Sequence, residues 1–154
     1  MKSNAQGFTL IELMIVVVIM GILVTVGVPA FFGMHTRARV AQVKETMKLV
    51  QLTVEDFSTR NDGAYPNDGA AVTAEGGLTF LQCLPVGGMP ENPFTSAPTV
   101  LDWSNAWNTV PGTDPAGGVS LNVVQTNPGG TFDAYQVLGT DDQGALLSLS
   151  FVNN

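Results

Sequence analysis

Twenty residues from Leu13 to Phe32, LMIVVVIMGILVTVGVPAFF, carry no charge and a single hydroxyl, Thr25. As a helix this run spans ~30 Å, the depth of a bilayer's hydrocarbon core. Directly before it stands Glu12, a carboxylate at the edge of a segment whose composition suits lipid. A charge costs about 2.5–3.5 kcal/mol at the centre of a membrane helix and less toward its end, so Glu12 calls for a positively charged partner. Two ordinary explanations compete for the run itself. A secretory signal would use Lys2 as its charged start, Leu13–Val26 as its apolar region and Val28-Pro29-Ala30 as its cleavage site. A simple uncleaved anchor would use the whole stretch. Neither accounts for Glu12, or for Gly7 immediately before Phe8.

The charge distribution narrows the function. All six basic residues (Lys2, Arg37, Arg39, Lys44, Lys48 and Arg60) fall within the first 60 positions, whereas Asn61 to Asn154 contains nine acidic residues and no basic one. An acidic portion without lysine or arginine has nothing with which to neutralise phosphates, so nucleic acid is not an expected partner. One cysteine, Cys83, excludes an intrachain disulfide, and within Leu81-Gln82-Cys83-Leu84 it reads as a small buried apolar residue. The lone His35 has no ligand-spaced neighbours and reads as solvated or interfacial. With no nucleophile–base pattern, metal-ligand cluster or phosphate loop, an enzyme is not expected, nor is a cofactor.

Beyond Gly33 the apolar pattern becomes periodic. Val40, Val43, Met47, Val50, Val54 and Phe57 step by three and four, the stripe of an amphipathic helix. Arg37, Lys44, Lys48, Gln51 and Glu55 form a polar face beside it. A weaker stripe, Ala38, Ala41, Leu49 and Leu52, lies nearly opposite. One side is expected to pack on the chain's own remainder and the other to meet neighbours, or simply to be covered by a loop. Ser58-Thr59-Arg60-Asn61-Asp62-Gly63, followed by Tyr65-Pro66, stops the helix.

The rest is turn-rich. Gly77–Leu84 is expected to form a short helix; Leu121–Gln125, Phe132–Leu138 and Ala145–Val152 are the strand candidates, the last two joined by the turn Gly139–Gly144. The expected fold class is α+β: a long amino-terminal helix, membrane-spanning in its first half and amphipathic in its second, packed on a small antiparallel sheet.

Lys2…Gly7-Phe8-Thr9-Leu10-Ile11-Glu12 followed by an apolar run resembles the processing site of type IV prepilins and of the pseudopilins of type II secretion. The resemblance covers roughly the first 35 residues, and its motif is highly specific. It implies that a prepilin peptidase/N-methyltransferase cuts between Gly7 and Phe8 and methylates the new amino terminus of Phe8. Scission creates an ammonium four residues from Glu12. That cation can approach Glu12 of its own chain or, as the resemblance implies, of a neighbouring subunit, where a half-paired charge would reject the wrong register. It also implies that the stretch from Gly21 to Pro29 loses helical order in the assembled filament; as sequence alone, Pro29 with Gly21, Gly27 and Gly33 marks only a kink.

The organisation that follows is a leader at 1–7, an assembly helix at 8–33, a stem at 34–61 and an acidic head at 62–154. The partners implied are other copies of the chain, the peptidase, an inner-membrane assembly platform with minor pilins, and membrane lipid before assembly. The location implied is the bacterial inner membrane, crossed once with the amino terminus cytoplasmic, and then an extracellular pilus or a periplasmic pseudopilus. Against this, four basic residues follow the span and only Lys2 and the terminal amine precede it, a bias that taken alone places the carboxyl side in the cytoplasm. The head loosely resembles those of major pseudopilins and disulfide-free pilins through Tyr65-Pro66, Asn92-Pro93-Phe94 and Tyr135–Gly139. Some major pseudopilins bind calcium there; Asp133, Asp141 and Asp142 offer oxygen ligands, although Asp-Asp-x-Gly is also plain turn chemistry. The functional expectation is a polymerising pilus subunit, the alternatives being a major pseudopilin and a monomeric membrane-anchored binding domain.

Overall fold

The computed structural model describes residues 7–85, 87–112, 116–126, 130–147 and 151–153. Leader residues 1–6, Lys2 among them, and residues 148–150 of the expected Ala145–Val152 strand lie outside the described residues. The chain divides into two compact units, Met1–Arg37 and Ala38–Asn154.

Helix α1, Leu10–Thr59, runs through 50 residues and contributes to both units. Thr9 starts it: its hydroxyl oxygen accepts the Glu12 N–H at 3.3 Å, and its carbonyl accepts the Leu13 N–H at 3.3 Å, as an N-cap does. Pro29 is accommodated inside the helix. Four residues before it, the Thr25 hydroxyl donates to the Gly21 carbonyl at 2.8 Å, and the Gly21–Pro29 stretch is helical in this structure. At the other end Asp62 and Gly63 take positive φ, and the Gly63 N–H reaches back to the Ser58 carbonyl at 2.9 Å. This six-to-one bond caps the last turn as the Asn-Asp-Gly sequence predicts.

The second unit is built on the stem. Val43, Met47, Val50, Val54 and Phe57 are fully buried, with Val40 half-buried at the edge of the same stripe. Each such side chain contributes roughly 1.5–3 kcal/mol on leaving water. They pack on a four-stranded sheet, β1 (Leu101–Ser104), β2 (Val119–Val124), β3 (Ala134–Gly139) and β4 (Phe151–Asn153), ordered as numbered. Helix α2, Phe80–Cys83, falls inside the expected Gly77–Leu84 segment and buries Phe80 against Phe57 and Trp103.

The α+β class is as expected, and so are β2 and β3 within a residue or two at each end. β1 differs: it pairs parallel to β2, and only β2–β3 and β3–β4 are antiparallel. A parallel neighbour needs a crossover connection, which residues 105–118 supply. Asn108 and Thr109 of that connection cover polar side chains on the sheet's outer face. The Asn108 N–H donates to Gln136 Oε1 at 2.8 Å, Gln136 Nε2 donates to Asn108 Oδ1, and the Ser120 hydroxyl and Asn122 amide both donate to the Thr109 carbonyl. Hence β2 alternates Val119, Leu121 and Val123 toward the helix with Ser120 and Asn122 toward the connection.

Gly139, on the inner face of β3, marks a close approach of stem and sheet. A Cβ there would lie 2.5 Å from Met47 Sδ and 3.3 Å from Val43 Cγ1, both on fully buried side chains. Gly139→Ala is therefore expected to destabilise the unit by about 1–3 kcal/mol, the usual penalty of overpacking. Chemical unfolding of the detergent-solubilised chain checks this; an unchanged midpoint would show that Met47 has room to move.

Candidate functional site

In the first unit the chemistry sits at the start of α1. Gly7 has nothing within 4 Å of where a side chain would be, so its backbone stands open. Phe8 is 75% exposed, and Glu12 lies in the first helical turn, four residues on. There the unpaired N–H groups of the helix end favour a carboxylate by about 0.3–1 kcal/mol. The Thr9-x-x-Glu12 spacing is a helix-start signal that the charge-based reading of Glu12 passed over. With Gly7 attached, the Phe8 nitrogen is a neutral amide, and among the described residues Glu12 makes no ion pair.

The apolar run behind Glu12 has no cover. Every large apolar side chain from Phe8 to Met34 is at least 42% exposed, and the most hydropathic window of the helix is wholly unburied. At roughly 1.5–3 kcal/mol for each side chain, such a surface is stable only in lipid or against other helices. His35 is exposed and meets the Phe31 ring edge-on, centroids 4.4 Å apart.

In the second unit the stem is pinned to the sheet by a polar contact as well as by its stripe. The buried Tyr135 hydroxyl donates to Glu55 Oε1 at 2.6 Å, and the Tyr65 ring meets Tyr135 edge-on at 4.8 Å. Burial first, and the Glu55 hydrogen bond second, push the Tyr135 phenol far above its ordinary pKa, so it remains a donor at any physiological pH. The opposite stripe is not covered by the head: Ala38, Ala41 and Leu52 are exposed and Leu49 half-buried. Cys83 is half-buried beside the core rather than fully enclosed, and burial raises its thiol pKa, which disfavours the reactive thiolate.

The three aspartates considered for calcium are not brought together. Asp133 immediately precedes β3 and Asp141 and Asp142 follow it, so a six-residue strand separates them by roughly 20 Å. Asp141 Oδ1 accepts the N–H groups of Gln143 and Ala145 at 2.9 Å, ordering the turn before Gly144. The Asp133 carboxylate accepts both the N–H and the hydroxyl of Thr126, contacts that hold its pKa below the ordinary value. Asp133 and Asp141 thus serve turns.

An exposed apolar run with a leading carboxylate, continued by an amphipathic stem laid on a small sheet, presents a surface that only lipid or other apolar helices can cover. Comparison with known proteins specifies it. Residues 2–28 match the family model for the prokaryotic N-terminal methylation motif. The chain is similar to the type IV narrow pilus major component PilA5 of Thermus thermophilus, 40% identical over 76 residues, which are 49% of this chain and 66% of that protein. It is similar to the type IV major pilin protein PilA of Myxococcus xanthus, 39% identical over 57 residues, 37% of this chain and 26% of that one. It also resembles the type IV major fimbrial protein FimA of Dichelobacter nodosus, 37% identical over 81 residues, 53% and 49% of the two chains. The matches span less than two thirds of each of these relatives. No solved structure matches the chain. The motif and these relatives together support a type IV pilin family for this chain.

Proposed function

We propose that this chain is the structural subunit of a type IV pilus, polymerising through its apolar amino-terminal helix after scission between Gly7 and Phe8 and methylation of Phe8. One observation carries the reading: the methylation motif is continuous with an apolar run whose large side chains, from Phe8 to Met34, are all uncovered. Before assembly lipid covers them; afterwards other copies do. Cleavage supplies the ammonium, Glu12 supplies the anion, and pairing the two in an apolar bundle admits one stagger of neighbouring helices. The role is structural rather than catalytic. The implied partners are other copies, the prepilin peptidase/N-methyltransferase, an inner-membrane platform and minor pilins. The amino terminus is taken to be cytoplasmic, where the peptidase acts.

The relatives named as major pilins and fimbrial proteins favour a surface pilus over a secretion pseudopilus. Shearing intact cells and separating the fibre fraction tests this. A pilus subunit is expected in the sheared material, whereas a chain retained wholly in the periplasm would move the assignment to the pseudopilus.

A further inference from the structure

A groove of about 350 Å³ runs between the stem and the segment after α2, lined by Gln42, Glu45, Thr46, Leu49, Pro90 and Glu91. Leu49 and Pro90 give it an apolar floor, and two exposed carboxylates stand at its rim. Arg60–Asp56 is the only ion pair among the described residues, so neither Glu45 nor Glu91 is salt-bridged within the chain. Beyond Arg60 the head offers no cation at all. The other cations among the described residues, Arg37, Arg39, Lys44 and Lys48, are on the stem, with Arg37 exposed. Arg39 is over the Phe94 ring, 5.8 Å from its centroid, while Lys44 and Lys48 form one row, four residues apart, with Lys48 exposed.

At 100° per residue, that row lies about 130° around the helix from the groove. Although Lys48 is three residues from Glu45, neither lysine is ion-paired within its own chain among the described residues, so the row is left to meet another groove. We propose that the groove of one copy receives the Lys44–Lys48 row of a second copy, with Glu91 and Glu45 facing the lysines. The occupant is argued from charge complementarity: an acidic, apolar-floored groove and an unpaired cationic row occur on the same subunit, on different faces. Because the two surfaces differ, the contact is heterologous; repeated from copy to copy, it propagates an open helical array rather than closing a dimer. The proposal rests on the pilus reading and adds a second, head-level contact to the one made by the apolar helices.

Charge reversal tests it in assembled fibres. Lys48→Glu and Glu91→Lys each replace attraction by repulsion at an exposed position, and each is expected to lower fibre yield about tenfold with amino-terminal processing unchanged. The double variant, with the charges exchanged, should recover yield. A carbodiimide cross-link between Lys48 or Lys44 of isotope-labelled chains and Glu91 or Glu45 of unlabelled chains, in mixed fibres, is the second expected result. Single variants that assemble like the parent, a double variant no better than the singles, or fibres lacking that cross-link would overturn the groove contact and leave the pilus reading intact. A parent chain that is processed but never forms fibres would overturn the pilus reading and this proposal together.

Discussion

Replacing Glu12 by leucine or alanine should leave a chain that inserts and is trimmed normally but contributes almost nothing to fibres. In the assembled state the Phe8 ammonium would then be buried without its anion. An uncompensated buried charge costs about 3–5 kcal/mol, and each 1.4 kcal/mol is tenfold in an equilibrium, so the loss of assembly is expected to exceed about a hundredfold. The helix itself should be little affected, since a first-turn carboxylate contributes only about 0.3–1 kcal/mol and the Thr9 cap remains. Glu12→Gln separates the roles: it keeps the shape and much of the hydrogen bonding but not the charge, and it should assemble as poorly as Glu12→Leu. Quantifying the chain in sheared fibre and membrane fractions checks all three variants. Normal fibre yield from Glu12→Leu would remove the charge pair from the account.

Gly7→Val should be the other severe change. Gly7 precedes the proposed scissile bond and has open space where its side chain would be, so a valine there perturbs nothing in the folded chain. It does place a β-branched group beside the peptide that the peptidase must grip. Such a chain should keep residues 1–7, gain no methyl group, and fail to polymerise because the cation at Phe8 never forms. The same chain trimmed before Phe8 as usual would contradict the processing assignment. Gly7→Val and Glu12→Leu thus block assembly at successive steps, and the mass of the membrane-bound chain tells them apart.

The elements legible in the sequence were those that state their own periodicity. The step of three and four through Val43, Met47, Val50, Val54 and Phe57 names a buried face because a helix repeats every 3.6 residues. The short apolar segment expected as the strand Leu121–Gln125 is β2, which extends two residues further toward the amino terminus, to Val119. β1 was not legible: Leu-Asp-Trp-Ser is four residues long, and its place in the sheet comes from parallel pairing with β2 across a connection with no periodic signal. The turn at Asp141 was readable as turn chemistry, whereas the separation of Asp133 from Asp141 and Asp142 depends on β3 lying between them. The motif at Gly7–Glu12 was fully visible because local chemistry defines it. The groove was not, since Leu49 and Glu91 are 42 positions apart and only the folded second unit brings them side by side.

The intact mass of the chain recovered from cells, best from sheared fibres, tests the central claim most directly. Loss of residues 1–7 together with the gain of one methyl group on Phe8 is the expected result. A chain that retains Met1, or one cut near Ala30 as a secretory signal would be, would contradict it.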